Sequence, residues 1–233
     1  MEAEARSKQG HPAIAKLLQA LLVVILAVWL IGASFTFLLL GPVTNFWANR
    51  FVNDQLSSLS HSELVACADA GLAYIKGHDV SLPTGTDQRV SFTADVVSHL
   101  DDVRSVVFVA RVLTLVLGLL LVAGAVALGR QSRRRLGSVF IWGAVLALAI
   151  VAVLALVGFL SFDVLFTAMH QLLFPQGNWT FDVSSLLICT YPLAFWTAMA
   201  ATWAAILVVL CLLALGGGLS ERHTAQRSAK QAV

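Results

Sequence analysis

Charge is scarce in this chain. Asp, Glu, Lys and Arg supply 12% of its 233 residues, against about 25% in a soluble globular domain. With 58% hydrophobic residues and a mean hydropathy of +0.84, that deficit excludes an ordinary soluble domain and a disordered chain. Cysteine is scarce as well. Cys67, Cys189 and Cys211 are odd in number, widely spaced and without a CxxC, which excludes a disulfide-framed mini-protein. A Cys67–Cys189 bridge would need both thiols on an oxidising side and would leave the third unpaired. Several catalytic signatures are also missing: there is no HExxH, no DxD, no GxSxG elbow, no P-loop and no GxGxxG after a strand. No histidine is followed by Asp five positions on, so the HxxxxD of glycerolipid acyltransferases is absent. Serine-nucleophile and zincin chemistry therefore have no support. There is no internal repeat, no low-complexity tract and no second soluble domain.

What the chain has is long apolar runs. A membrane-spanning helix needs about 20 mainly apolar residues, and four stretches qualify, at about 15–40, 106–129, 137–160 and 193–215. The first is too long for a signal-peptide core of about 7–15 residues, so it reads as a retained anchor. The expected fold is all-α: a polytopic membrane protein of four transmembrane helices, with a mainly helical extracytoplasmic loop region capping the outer face, in a single membrane domain over 1–233. The net charge of +2 says little, because the charges are segregated. The N-terminal segment, to the first turn of the first span, carries Arg6, Lys8 and Lys16. Arg130, Arg133, Arg134 and Arg135 cluster in the short loop 130–136, and Arg222, Arg227 and Lys230 lie in the tail 216–233. The 42–105 loop carries Arg50, Lys76, Arg89 and Arg104 against Asp54, Glu63, Asp69, Asp79, Asp87, Asp95, Asp101 and Asp102. The positive-inside rule then places both termini and the 130–136 loop in the cytoplasm, and the 42–105 loop and the 161–192 segment outside. The basic clusters read as topology signals touching anionic lipid; nothing supports nucleic-acid binding. Arg111, just inside the second span, is expected to snorkel to the outer interface or to meet a lipid head group there.

Within the outer loop, Phe46 to Tyr74 has helix-like apolar spacing. Asp79 to Phe92 reads as a short hairpin or plain loop, and from about Thr93 the pattern turns helical and runs into the second span. Functional information is concentrated in the polar residues at the outer ends of the spans. In Phe92–Val106, Asp95, His99 and Asp102 share one helical face at i, i+4 and i+7, where a carboxylate can orient an imidazole and raise its basicity. Arg104 and Asp101 lie on a different face. The bland alternative is a solvated helix start with acids at its N-terminal end. In Phe162–Asp182 the third span would be too long if it continued to Phe174, so the chain must emerge, bend or re-enter, and Pro175-Gln176-Gly177 marks a turn. Asp163 and His170 lie two helical turns apart. A lone histidine such as His170 in that setting is more often a hydrogen-bonded interfacial residue than a catalyst. Trp179, Phe181, Tyr191 and Trp196 fit an interfacial aromatic belt, which leaves the interleaved Gln176, Asn178 and Asp182 unexplained. Asn178-Trp179-Thr180 is a weak glycosylation sequon. His11, His61, His78 and His223 stand in weaker contexts.

Two motifs give the chain a family likeness. One is the H-x-x-D-V-R/K pattern before the second span, here His99-Leu100-Asp101-Asp102-Val103-Arg104. The other, more specific, follows the third span: Phe166, His170, Phe174, Gly177, Trp179, Phe181 and Asp182, then Leu186-Leu187-Ile188, Pro192 and Phe195-Trp196. On these residues, and on its layout of four spans with a long and then a short outer loop, the chain resembles a family of bacterial integral membrane proteins that includes the lipoprotein intramolecular transacylase Lit. The middle of the outer loop matches only loosely, at "ELVACADAGLAYIKG".

The resemblance implies a function. Substrates are bacterial lipoproteins whose N-terminal cysteine carries an S-linked diacylglycerol and a free α-amine. The sn-2 acyl chain moves from the glycerol to that amine, giving an N-acyl, S-monoacylglyceryl (lyso-form) lipoprotein. The enzyme would sit in the bacterial cytoplasmic membrane with its site on the extracytoplasmic face. By motif, the catalytic pair maps to His99 and His170. Chemically, two imidazoles suit both proton transfers at neutral pH, and no metal or diffusible cofactor is required. Asp102 or Asp95 is a candidate to orient His99, and Asp163 to orient His170. Arg104, Asn178 and the Trp179 N–H are candidate oxyanion donors. Competing readings are a noncatalytic four-span scaffold or partner-binding protein, a metal-dependent membrane hydrolase, and a transporter, the last disfavoured because no charge lies mid-span.

Overall fold

The computed structural model describes residues 12–231; Arg6, Lys8 and His11 lie outside them. The described residues form α1 (Pro12–Leu38), α2 (Gly41–Phe51), α3 (His61–Ile75), α4 (Ala94–Gln131), α5 (Arg133–Leu160), α6 (Phe162–Leu173), α7 (Leu186–Thr190) and α8 (Leu193–Gln231). The all-α expectation holds: among the described residues there is no strand, only an isolated bridge between Thr84 and Phe92. Four helices, α1 from Ile14, α4, α5 and α8, are long and apolar enough to cross a membrane.

Local chemistry sets the breaks. α1 ends before Gly41-Pro42, and Pro42 sits in the first turn of α2, where its missing N–H costs nothing. The single helix-like stretch from Phe46 to Tyr74 is in fact two helices. Ser60 starts α3 with a capping box, its side chain accepting from the Glu63 N–H while the Glu63 carboxylate accepts from the Ser60 N–H. That helix closes on Gly77 at φ +89°. There the N–H of His78 donates to Ala73 O at 3.0 Å and that of Gly77 to Tyr74 O at 2.9 Å, a Schellman close. Ser161, extended at φ −161°, separates α5 from α6 and caps the latter. The fourth apolar helix does not stop at Gly216-Gly217-Gly218 but runs on to Gln231. A Cβ on Gly218 would lie 2.7 Å from the Gly137 carbonyl oxygen, and one on Gly137 2.6 Å from that of Gly218. These glycines therefore serve a close helix crossing and do not act as a helix stop.

The chain divides into two compact units. Among the described residues, the first comprises 12–33, 113–152 and 207–231. Its buried residues include Leu22, Leu26, Ala27, Leu128, Val139, Ala144, Ala147, Leu207 and Cys211, while Leu17, Leu21, Leu115, Leu119, Val122, Leu212 and Leu213 are exposed. An apolar surface of that kind is what a lipid-facing bundle presents. The second unit comprises 34–112 and 153–206 and has its own core around Leu64, Ala68, Phe92, Val96, Leu100, Leu186, Cys189, Tyr191 and Phe195. The Tyr191 hydroxyl donates to the Ala68 carbonyl at 2.9 Å, and the Leu186 N–H donates to Gln88 O at 2.6 Å. The three cysteines are free and buried, so the Cys67–Cys189 bridge does not form. Burial pushes the Cys67 and Cys189 thiols above their usual range.

Candidate active site

The site lies within the second unit. It is built from the first turns of α4, from α6, and from the 174–182 segment that follows α6. α4 contributes His99 and Asp102, one turn apart on one face. α6 brings His170 on its last turn. Both imidazoles are buried. Their ring centroids lie 6.0 Å apart with planes inclined by 25°. Phe174 meets His99 edge-on at 4.9 Å, and Phe181 lies at 5.7 Å. Around His170 stand Phe166 at 4.0 Å, Trp179 at 5.1 Å and Phe174 at 5.6 Å. The aromatic residues thus wall the histidine pair, with Phe174, Trp179 and Phe181 all in this cluster. Tyr191 goes to the core, and Trp196 packs on Phe166 at 6.3 Å.

His170 Nδ1 lies 2.9 Å from the Phe166 carbonyl oxygen. A carbonyl only accepts, so Nδ1 carries the proton and Nε2 keeps its lone pair. Burial pushes this imidazole below its ordinary 6.5, and the bond to Phe166 opposes that only in part. The outcome is a neutral imidazole with a defined basic nitrogen.

The segment after α6 turns sharply. Gly177 N–H donates to Phe174 O at 3.1 Å, with Pro175 and Gln176 at the centre of the turn and Gly177 at φ +82°, a backbone region that favours glycine. The turn directs two amides at one carboxylate. Gln176 Nε2 and Asn178 Nδ2 each donate to Asp102 Oδ2 at 2.7 Å. Asn178 Nδ2 also lies 3.5 Å from Ser98 Oγ. With its amide so engaged, Asn178 is no glycosylation acceptor in this conformation. Asp182 caps the next turn through the N–H and hydroxyl of Ser184 at 2.8 and 2.6 Å, bonds that hold its carboxyl below the usual range.

A family model described as "Lipoprotein intramolecular transacylase Lit" matches residues 20–196. The chain belongs to the Lit family. Membership makes it a lipoprotein transacylase, an acyltransferase integral to the membrane. Its fold is similar to the in meso structure of the membrane integral lipoprotein intramolecular transacylase Lit from Bacillus cereus, at a TM-score of 0.74 and 16% identity over 94% of this chain and 98% of that one. Two further structures of the Bacillus cereus Lit each carry one exchanged histidine. The arginine form matches at a TM-score of 0.74 and 17% identity over 98% of this chain and 100% of that one. The alanine form matches at 0.73 and 15% over 94% and 96%. No curated protein matches the chain in sequence.

Of the residues singled out in the sequence, the fold brings together His99, His170, Asp102, Asn178 and Trp179. It does not bring the others to the histidines. Asp95 and Asp163 are exposed; Asp163 lies in the first turn of α6, where an acid complements the helix N-terminus, and the bonded partner of His170 is Phe166. Arg104 lies over the Tyr74 ring at 5.3 Å, and Tyr74 donates to Asp101 at 2.5 Å, so the Asp101–Arg104 face is occupied elsewhere. Arg111 donates to the Lys76 carbonyl at 3.2 Å. Asp102 bonds the two amides and not His99. The Phe166 carbonyl and the role of Gln176 were not evident in the sequence. The i to i+4 spacing of Phe166 and His170 is a signal for the first, since a ring on the last turn of a helix can reach back to a carbonyl of its own face.

Proposed function

We propose that the chain moves the sn-2 acyl chain of an S-diacylglyceryl cysteine to that cysteine's own α-amine, leaving an N-acyl, S-monoacylglyceryl lipoprotein, with His99 and His170 as the acid–base pair. The observation that carries this reading is the facing pair of buried imidazoles, one of them fixed as an Nδ1–H tautomer with a bare Nε2.

Donor and acceptor are on one substrate molecule, so the enzyme's first task is to hold amine and ester in near-attack geometry, which can lower the barrier by about 7–11 kcal/mol. The ammonium first gives one proton to solvent to become a free amine, the nucleophile. Its nitrogen then attacks the ester carbonyl carbon and forms the C–N bond. His170 Nε2 accepts the proton that the nitrogen sheds in the tetrahedral adduct. The C–O bond to glycerol breaks, and the leaving oxygen takes a proton from the imidazole pair. One amide and one hydroxyl replace one amine and one ester, so the step is proton-neutral overall. The aromatic walls of Phe166, Phe174, Trp179 and Phe181 exclude water, which would otherwise divert the acyl group to hydrolysis. The Lys/Arg distribution supports cytoplasmic termini and a site on the extracytoplasmic face of a bacterial cytoplasmic membrane, where processed lipoproteins present their amines.

The experiment is expression of the chain in a bacterium that makes only diacyl lipoproteins, with mass spectrometry of one reporter lipoprotein's N-terminal peptide. An N-acylated, S-monoacylglyceryl peptide is expected. A peptide that stays S-diacylglyceryl with a free amine, at normal expression, would leave the noncatalytic scaffold as the better reading.

A further inference from the structure

Two buried polar atoms of the site, His99 Nδ1 and Asn178 Oδ1, have no hydrogen-bond partner among the described residues. Orphaned polar atoms are costly and rare in folded proteins, and two in one cluster point to a partner that the resting geometry has not yet engaged. The two are complementary. An amide oxygen only accepts, and an imidazole Nδ1 donates in one of its neutral tautomers.

The orientation of the amide is fixed by what it faces. Asn178 Nδ2 lies 2.7 Å from Asp102 Oδ2, and a carboxylate offers only acceptors, so the nitrogen must point at it and Oδ1 must point away. Gln176 donates to the same oxygen at 2.7 Å and holds the carboxylate in place. Asn178 Nδ2 is also 3.5 Å from Ser98 Oγ, on the residue next to His99. The amide therefore lies over the stretch of α4 that carries His99, with Asp102 one turn further on.

We propose that, with substrate engaged, His99 Nδ1–H donates to Asn178 Oδ1, so that Asp102, Asn178 and His99 form a positioning chain that leaves the His99 lone pair on Nε2. This rests on the transacylase reading above. Both histidines then present the same nitrogen to the reaction, His170 through the Phe166 carbonyl and His99 through an amide. A neutral amide between carboxylate and ring has a chemical advantage. A carboxylate bonded directly to the imidazole would stabilise its charged form, whereas an amide oxygen orients the ring and leaves the proton easy to return. Asn178 and Asp102 act through His99 and are positioning residues.

The test uses the full chain in lipid nanodiscs with ¹⁵N-labelled histidine. The probe is an S-dipalmitoylglyceryl cysteinyl peptide whose α-amine is acetylated and so cannot react. His99 signals are assigned by their loss in His99→Gln. The expected result is a protonated Nδ1 and a bare Nε2 on His99, changing to a mixture of tautomers in Asn178→Ala. With the free-amine peptide, Asn178→Ala should lower kcat by about 10–100-fold, the loss seen when the partner that orients a metal-bound histidine is removed, with KM little changed. Gln176→Ala should lose less, because it spares the chain, and Asp102→Asn should retain more activity than Asp102→Ala, because it keeps an oxygen that accepts from Asn178. Equal losses in Gln176→Ala and Asn178→Ala would reduce the amides to loop anchors and overturn the proposal. So would an unchanged His99 tautomer in Asn178→Ala, whether kcat is kept or KM rises because Oδ1 holds the substrate amine instead. Failure of the underlying reading looks different: the wild-type chain would give no N-acyl product at all.

Discussion

The imidazoles of His99 and His170 face each other inside the fold, 6.0 Å between centroids and 25° from parallel, although 70 residues of sequence separate them. Neither helix alone makes a site. α4 and α6 bring one ring each, and the segment after α6 encloses both.

Removing either imidazole should abolish transfer. His99→Ala and His170→Ala should each lower the rate by about 10²–10⁴-fold, the usual contribution of a positioned acid or base. The helical circular dichroism signal should stay intact. N-acyl product formation by the purified variants, compared with wild type, checks this.

The pH dependence should follow His170. Burial lowers its pKa from 6.5, so the working neutral form persists at pH 6.5, where a free imidazole is half protonated. With the titration of the substrate amine divided out, the acidic limb that belongs to the enzyme should therefore fall below that pH. The sign for stability is the same. The unfolded chain takes up the proton first as pH drops through 6.5, so the contribution of His170 is fully present above that pH and is lost as pH falls through the lower folded value. Thermal unfolding in detergent at descending pH, in wild type and in His170→Gln, isolates this contribution.

The turn that aims Gln176 and Asn178 depends on Gly177 at φ +82°. A Cβ there meets nothing within 4 Å, so Gly177→Ala bears only the conformational cost of about 1 kcal/mol. Activity should fall more than stability, as the amide bonds to Asp102 lose their alignment. A melting curve and a rate measurement on the same sample separate the two effects.

Tyr191 tests the core behind the site. Its hydroxyl donates to the Ala68 carbonyl at 2.9 Å in a buried setting that pushes the phenol pKa far above its usual range. Tyr191→Phe removes that bond, while the carbonyl keeps its helical partner within α3, and should destabilise by about 0.5–1.5 kcal/mol. Gly71→Ala, whose Cβ would meet the same hydroxyl, should lower the melting temperature as well.

Much of this was legible in the sequence because the bilayer imposes a simple rule. About 20 apolar residues make a span, and α1, α4, α5 and α8 satisfy it. Breaks set by local chemistry were partly legible: Gly41-Pro42 and Pro175-Gln176-Gly177 are read by residue type. The split between α2 and α3 was hidden because the apolar spacing of Phe51, Leu56, Leu59 and Leu64 continues across it, while the capping box of Ser60 and Glu63 decides it. Gly216-Gly217-Gly218 misled in the opposite direction, since Gly218, which admits a neighbouring helix at Gly137, looks like a helix stop. At the site, the two histidines emerged from motif likeness and helical spacing. Their orienting partners did not, because a carboxylate two turns away on the same helix, as in Asp163 and His170, competes with a backbone carbonyl one turn away, and the nearer group wins. The pairing of Asp102 with Gln176 and Asn178 spans more than 70 positions, and no local pattern encodes it.

The most direct measurement is acyl transfer in vitro on a cysteinyl lipopeptide with unlike chains, palmitoyl at sn-1 and ¹³C-labelled oleoyl at sn-2, using the purified full chain and tandem mass spectrometry of the product. Labelled oleoyl on the α-amine, palmitoyl still on glycerol, and no free oleate are expected, with the product lost in His99→Ala and His170→Ala. Free oleate with an unmodified amine would mean hydrolysis. Transfer that survives both substitutions would mean that the histidine pair is not the chemical centre.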